Sequence, residues 1–135
     1  MTSLSRRTIL VAEDNEDIRS LLRFFLEENG YEVIEARNGA EAVKMAQTTK
    51  PDLILMDLTM PYVSGIDAAI KIRSFNELRH IPIVANSGDG TRGIELFNNA
   101  KKLGSAYISY ITKPFYLNEL TEHINTGLLK SAEAA

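Results

Sequence analysis

Asp57 closes the apolar run Leu53-Ile54-Leu55-Met56. A carboxylate at the mouth of a buried strand is costly unless an opposite charge meets it. Two other apolar runs also end on charge. Ile9-Leu10-Val11-Ala12 leads into Glu13 and Asp14, and Tyr110-Ile111-Thr112 leads into Lys113. Three acids and a lysine at strand ends are the groups that hold a hard cation and a phosphoryl group. The carboxylates repel one another, and a divalent cation removes that repulsion. An all-oxygen site with few protein ligands suits Mg²⁺, which keeps several waters. In such a site Asp57 is a nucleophile that forms an acyl phosphate. Positioning and charge neutralisation dominate that transfer. Ser87, two residues beyond the run Ile81–Ala85, can donate a hydrogen bond to a phosphoryl oxygen. A carboxylate is already ionised at neutral pH, so no adjacent base is required.

These residues need elements to bring them together. Apolar runs at Thr8–Ala12, Tyr31–Ala36, Asp52–Met56, Ile81–Ala85 and Tyr107–Ile111 read as five strands. Ile9–Ala12 and Leu53–Met56 are apolar without alternation, as in strands buried on both faces of a parallel sheet. Ile18, Leu21, Leu22, Phe25 and Leu26 share one helix face, and Gly30 ends that helix as a C-cap glycine would. Asn38 with Glu41 resembles a capping box, and Ser64 with Asp67 opens a third helix. A fourth helix is expected between Thr91 and Lys102, before Gly104. A fifth carries Leu117, Leu120, Ile124 and Leu128, and a frayed tail is expected from Ser131 to Ala135.

Strands alternating with helices predict an α/β fold: a flavodoxin-like five-stranded parallel sheet, order 2-1-3-4-5, flanked by five helices. Ligands of such sheets bind at the carboxyl ends of the strands, at the switch point between strands 1 and 3. That edge then reads acid pair, acid, hydroxyl, ammonium. Strand 5 lies roughly 10 Å from strand 3, a gap that a lysine stem can largely cross.

The 135 residues fit a single domain, residues 1–135, with a core of about residues 8–129. A hydrophobic content of 44% and a charged content of 24% are those of a globular domain. The net charge of -3 argues against direct contact with nucleic acid. The absence of cysteine excludes disulfides and thiolate chemistry. No apolar run is long enough for membrane insertion, and Met1 to Arg7 lacks the apolar stretch of a secretory signal, so a cytoplasmic location is expected.

Taken in order, these segments resemble the receiver domain of two-component response regulators, single-domain and chemotaxis-regulator-like. The similarity runs from about Thr8 to Leu129. It rests on Ile9–Asp14, Asp52–Asp57, Met60-Pro61, Ser64-Gly65, Pro82–Gly88 and Lys113-Pro114-Phe115. The resemblance implies that Asp57 accepts phosphate from a histidine kinase or a histidine phosphotransfer protein. It implies Mg²⁺ held by Asp14, by Glu13 in part through water, by Asp57 and by the backbone carbonyl of Thr59. Lys113 would pair with the phosphoryl group, Ser87 would be the switch hydroxyl, and the rotamer of Tyr110 would follow it. The face formed by the fourth helix, fifth strand and fifth helix would then regulate a downstream protein target or relay phosphate. No turnover of small molecules is expected, only self-phosphorylation and autodephosphorylation.

Two departures stand out. Ser87 to Lys113 is several residues longer than usual in that family, and Gly88 replaces the commoner alanine. Thr59 and Asp89 resemble positions that tune phosphoryl lifetime, and Asp89 is expected to contact the attacking water or Lys113.

Other classes fare worse. An aspartate-nucleophile phosphatase wants a second aspartate two residues on, where Thr59 stands. A flavodoxin-like cofactor binder wants a hydroxyl-rich loop after strand 1, where Glu13-Asp14-Asn15-Glu16-Asp17 would repel phosphate. A receiver working without phosphate would have no need of the complete set. His80 and His123 are expected on the surface without metal-site company.

Overall fold

The computed structural model describes residues 6–88 and 90–134. Five parallel strands, β1 (Thr8–Ala12), β2 (Glu32–Ala36), β3 (Leu53–Asp57), β4 (Ile83–Ser87) and β5 (Ile108–Thr112), form one sheet in the order β2-β1-β3-β4-β5. The helices are α1 (Glu16–Glu28), α2 (Gly39–Thr49), α3 (Gly65–Arg73), α4 (Gly90–Asn98), α5 (Ala100–Leu103) and α6 (Leu117–Ala134), with a 3₁₀ turn at Asn76–Leu78.

Strand alternation divides the core into two layers. Leu10, Ile54, Met56, Ile83 and Ala85 face α2 and α3 through Ala42, Ala46, Ile66, Ala69 and Ile72. Ile9, Val11, Leu53, Leu55 and Val84 face α1 and α6 through Leu22, Leu26, Leu120 and Ile124. Each such leucine or isoleucine contributes about 2 kcal/mol by leaving water.

The helix ends follow their capping residues. The side chain of Asn15 accepts the Ile18 N–H at 3.0 Å, and that of Ser64 the Asp67 N–H at 3.2 Å. Asn38 accepts the Glu41 N–H at 2.8 Å, while Glu41 reaches back to the N–H of Arg37 at 2.8 Å, one residue before the cap. Gly30, at φ 91°, closes α1: Gly30 N–H bonds the Glu27 carbonyl and Tyr31 N–H the Leu26 carbonyl, a Schellman pair.

Two expectations about helices need correction. The fourth helix is not continuous. Asn99 breaks it, with its backbone N–H shared between the Glu95 and Leu96 carbonyls and its side chain also on the Glu95 carbonyl at 2.8 Å. This gives six α-helices among the described residues where five were expected. The tail is not frayed from Ser131, because α6 runs on to Ala134.

Candidate functional site

Register assembles the site. Ala12 pairs with Met56, so Glu13 and Asp57 emerge side by side. Asp57 pairs with Asn86, and Ser87 with Thr112, which places Lys113 one residue beyond. Glu13 and Asp57 are 2% and 3% exposed, whereas Asp14 lies open to solvent. One carboxylate oxygen from each of Glu13, Asp14 and Asp57 lies within 4.8 Å of the others. Lys113 leans back as expected, but its first partner is Glu13. Nζ donates to Glu13 Oε1 at 2.9 Å and to Asp57 Oδ2 at 3.4 Å.

The other side of Asp57 is held by the backbone. The N–H of Thr59 donates to Oδ1 at 2.9 Å, and the Thr59 hydroxyl bonds that of Ser87 at 2.8 Å. Thr59 thus has two polar engagements and no acidic function. The loop after β3 turns back tightly: Gly65 N–H reaches the Leu58 carbonyl at 3.2 Å. A Cβ on Gly65 would stand 2.1 Å from the Asp57 carbonyl oxygen, so glycine alone fits beside the site.

Electrostatics corrects one expectation. Burial pushes the Asp57 carboxyl up to about 7, and the neighbouring Glu13 charge adds to this. The Thr59 N–H and the Lys113 ammonium oppose it without cancelling it. Asp57 without a cation beside it is therefore not the fully ionised group expected at neutral pH. Burial also acts to lower Lys113, but its bond to Glu13 and the Asp57 charge outweigh this and hold the ammonium above its ordinary value. Two buried acids and one exposed acid facing a single ammonium leave excess negative charge in an all-oxygen donor set, which fits a hard divalent cation.

Ser87 is fully buried. Its carbonyl accepts the Lys113 N–H at 2.9 Å and the Tyr110 hydroxyl at 3.5 Å. Tyr110 is half-buried, packs against the α2–α3 side of the core and has its ring against Gly93. Lys113 is followed by a cis bond to Pro114. The expected contact of Asp89 lies outside the described residues. His80 is exposed as expected. His123 is not simply a surface residue, because it is half-buried with Nδ1 2.7 Å from the Ser109 hydroxyl.

Sequence reasoning missed three buried polar residues. Arg19 donates to the Glu13 carbonyl at 3.0 Å and to Glu35 Oε1 at 2.8 Å. Arg73 donates to the carbonyls of Leu78, Ile81, Leu103 and Tyr107. Asn86 is 1% exposed, and its Oδ1 has no hydrogen-bond partner among the described residues. A signal was available for the arginines. Arg19 stands on the stripe of Leu22 and Leu26, and Arg73 on that of Ile66 and Ala69, where a side chain is carried inward.

Comparison with known proteins agrees with this geometry. The sequence profile of the response regulator receiver domain matches residues 9–125. The polar-differentiation response regulator DivK of Brucella anthropi is 37% identical over 122 residues, covering 90% of this chain and 96% of that protein. DivK of Brucella ovis is 36% identical with the same coverage. Among solved structures, Vibrio cholerae chemotaxis protein CheY4 superposes with a TM-score of 0.80 at 25% identity, over 92% of this chain and 100% of that one. The receiver domain of sensor histidine kinase PA1611 from Pseudomonas aeruginosa, with magnesium coordinated in its active-site cleft, gives a TM-score of 0.79 at 29% identity. That match covers 92% of this chain and 98% of the other.

Proposed function

This chain belongs to the response regulator receiver domain family, and on that premise we propose that it is a phosphoacceptor signalling module with Asp57 as the acceptor. One observation carries the reading: the Glu13, Asp14 and Asp57 carboxylates converge within 4.8 Å while Lys113 bridges the two buried ones. Glu13, Asp14, Asp57 and the Thr59 carbonyl would hold Mg²⁺. The ion would neutralise charge on the phosphoryl oxygens and keep Asp57 ionised.

The chain's own residues do the rest. An Asp57 carboxylate oxygen attacks the phosphorus of a phosphohistidine donor. The P–O bond forms, the P–N bond breaks, and the departing imidazole nitrogen keeps the electron pair and takes a proton from solvent. Lys113, already within reach of Oδ2, follows the charge onto the phosphoryl oxygens. The Ser87 hydroxyl exchanges Thr59 for a phosphoryl oxygen, and Tyr110, tied to the Ser87 carbonyl, reports the move on the face of α4, β5 and α6. The protein regulates a partner or relays phosphate rather than turning over small molecules, in the cytoplasm. No helix among the described residues is long and apolar enough to cross a membrane.

Incubation with Mg²⁺ and acetyl phosphate, followed by intact-mass spectrometry, tests this. A single phosphoryl adduct is expected on the wild type and none on Asp57→Asn. An adduct that survives Asp57→Asn, or none on the wild type, would reject Asp57 as acceptor.

An apolar cavity of about 560 Å³ adjoins Lys113, is lined by Ile18, Leu21, Pro114, Phe115 and Leu117, and supports the reading that a protein donor docks there. Leu21 is 58% exposed there. An apolar helix of a histidine-bearing donor seated on it would bring its phosphohistidine to Asp57. Leu21→Glu is therefore expected to slow transfer from a protein donor about tenfold while leaving the acetyl phosphate rate within about twofold.

A further inference from the structure

We infer that Arg19 is a positioning residue for the acidic cluster, fixing the turn that presents Glu13 and Asp14 to the cation. This rests on the reading of that cluster as the Mg²⁺ site.

The geometry is specific. Arg19 lies in the first turn of α1, is 8% exposed, and links that helix to Glu13, the residue that begins the turn. Its Nη1 donates to the Glu13 carbonyl at 3.0 Å, and its Nε to Glu35 Oε1 at 2.8 Å. Glu35 is on β2, the strand beside β1, and is itself held by Arg23. The backbone N–H of Glu13 donates to the Ala36 carbonyl at 3.0 Å, also on β2. Both backbone polar groups of Glu13 are thus anchored toward β2, one directly and one through the Arg19–Glu35 pair.

This anchoring matters because the next residue, Asp14, is exposed and has little packing to orient it. The Glu13 side chain is set at its tip by the Asn15 N–H at 3.2 Å and by Lys113. With the Glu13 peptide released, both carboxylates would wander before meeting a cation, and affinity would fall without any ligand being lost. Partners of metal ligands typically change affinity by about 10- to 100-fold when removed. Arg23 provides the internal control: it shares Glu35 but makes no contact with Glu13 among the described residues.

Mg²⁺ titration by calorimetry, with Asp14→Asn as the ligand-loss reference, separates the outcomes. Arg19→Met is expected to weaken Mg²⁺ binding about tenfold, and Arg23→Met by less than about twofold. Arg19→Lys, which keeps the charge but cannot serve both partners, should fall between. At saturating Mg²⁺ the phosphorylation rate of Arg19→Met from acetyl phosphate should return to within about twofold of the wild type, a split that a generally damaged fold would not give. Wild-type affinity in a folded Arg19→Met, or an equal loss in Arg23→Met, would overturn the inference. If Arg19→Met does not fold, wild-type affinity in Arg19→Lys overturns it equally. No Mg²⁺ binding by the wild type would instead remove the reading of the cluster itself, and the inference with it.

Discussion

Asp57→Asn is expected to stabilise the cation-free protein at pH 8 by on the order of 2 kcal/mol, an advantage that disappears below about pH 4. Burial raises the Asp57 pKa from 3.8 to about 7. The folded state therefore holds this proton more tightly than the unfolded chain. Its contribution is fully present below pH 3.8 and is lost as pH rises through 7, so the wild type is penalised above that point. Asparagine has no proton to lose and removes the slope. The gain is smaller than the full linkage value because Lys113 loses one of its two partners. Urea unfolding between pH 4 and pH 8 in the presence of a chelator measures the effect. Mg²⁺ should then stabilise the wild type more than the variant. A wild-type stability that is flat from pH 4 to pH 8 would contradict the buried, cation-free carboxylate described above.

Arg73→Met is expected to cost about 3–5 kcal/mol, enough to leave much of a marginally stable domain unfolded. Arg73 is 4% exposed, and its hydrogen bonds among the described residues go to backbone carbonyls of the 3₁₀ turn, the approach to β4, the end of α5 and the approach to β5. Methionine replaces the stem but none of the donors, so buried carbonyls from separate segments lose their partner together. Burial lowers the Arg73 pKa to about 10, which still leaves the guanidinium charged at neutral pH. The midpoint of urea unfolding reports the loss. At low temperature, the fraction that remains folded should still take phosphate on Asp57, because Arg73 sits at the opposite end of the strands.

The sheet was legible because its centre is plain: Ile9–Ala12 of β1 and Leu53–Met56 of β3 are buried residue for residue and read as unbroken apolar runs. Once the order is known, Glu13, Asp57 and Lys113 must meet, since each follows a strand that ends on the same edge. What Lys113 holds first was not legible. The choice between Glu13 and Asp57 depends on distances of 2.9 and 3.4 Å that no pattern encodes. The Asp57 titration was not legible because an ordinary pKa describes a carboxylate in water, and the burial of this one emerges only in the folded chain. Arg19 and Arg73 look like polar interruptions of apolar stripes, and their carbonyl partners lie up to 34 residues away. Asn99 was read as an ordinary helical residue because asparagine within a helix carries only a weak cost.

The Ser87 carbonyl receives both the Lys113 amide and the Tyr110 hydroxyl, and the hydroxyl of the same residue meets Thr59. A single peptide unit is therefore common ground for the side of the sheet that captures phosphate and the side that faces outward. On the proposed function, a substitution that shifts this residue to retune a partner would alter phosphate capture as well, so output and timing would change together.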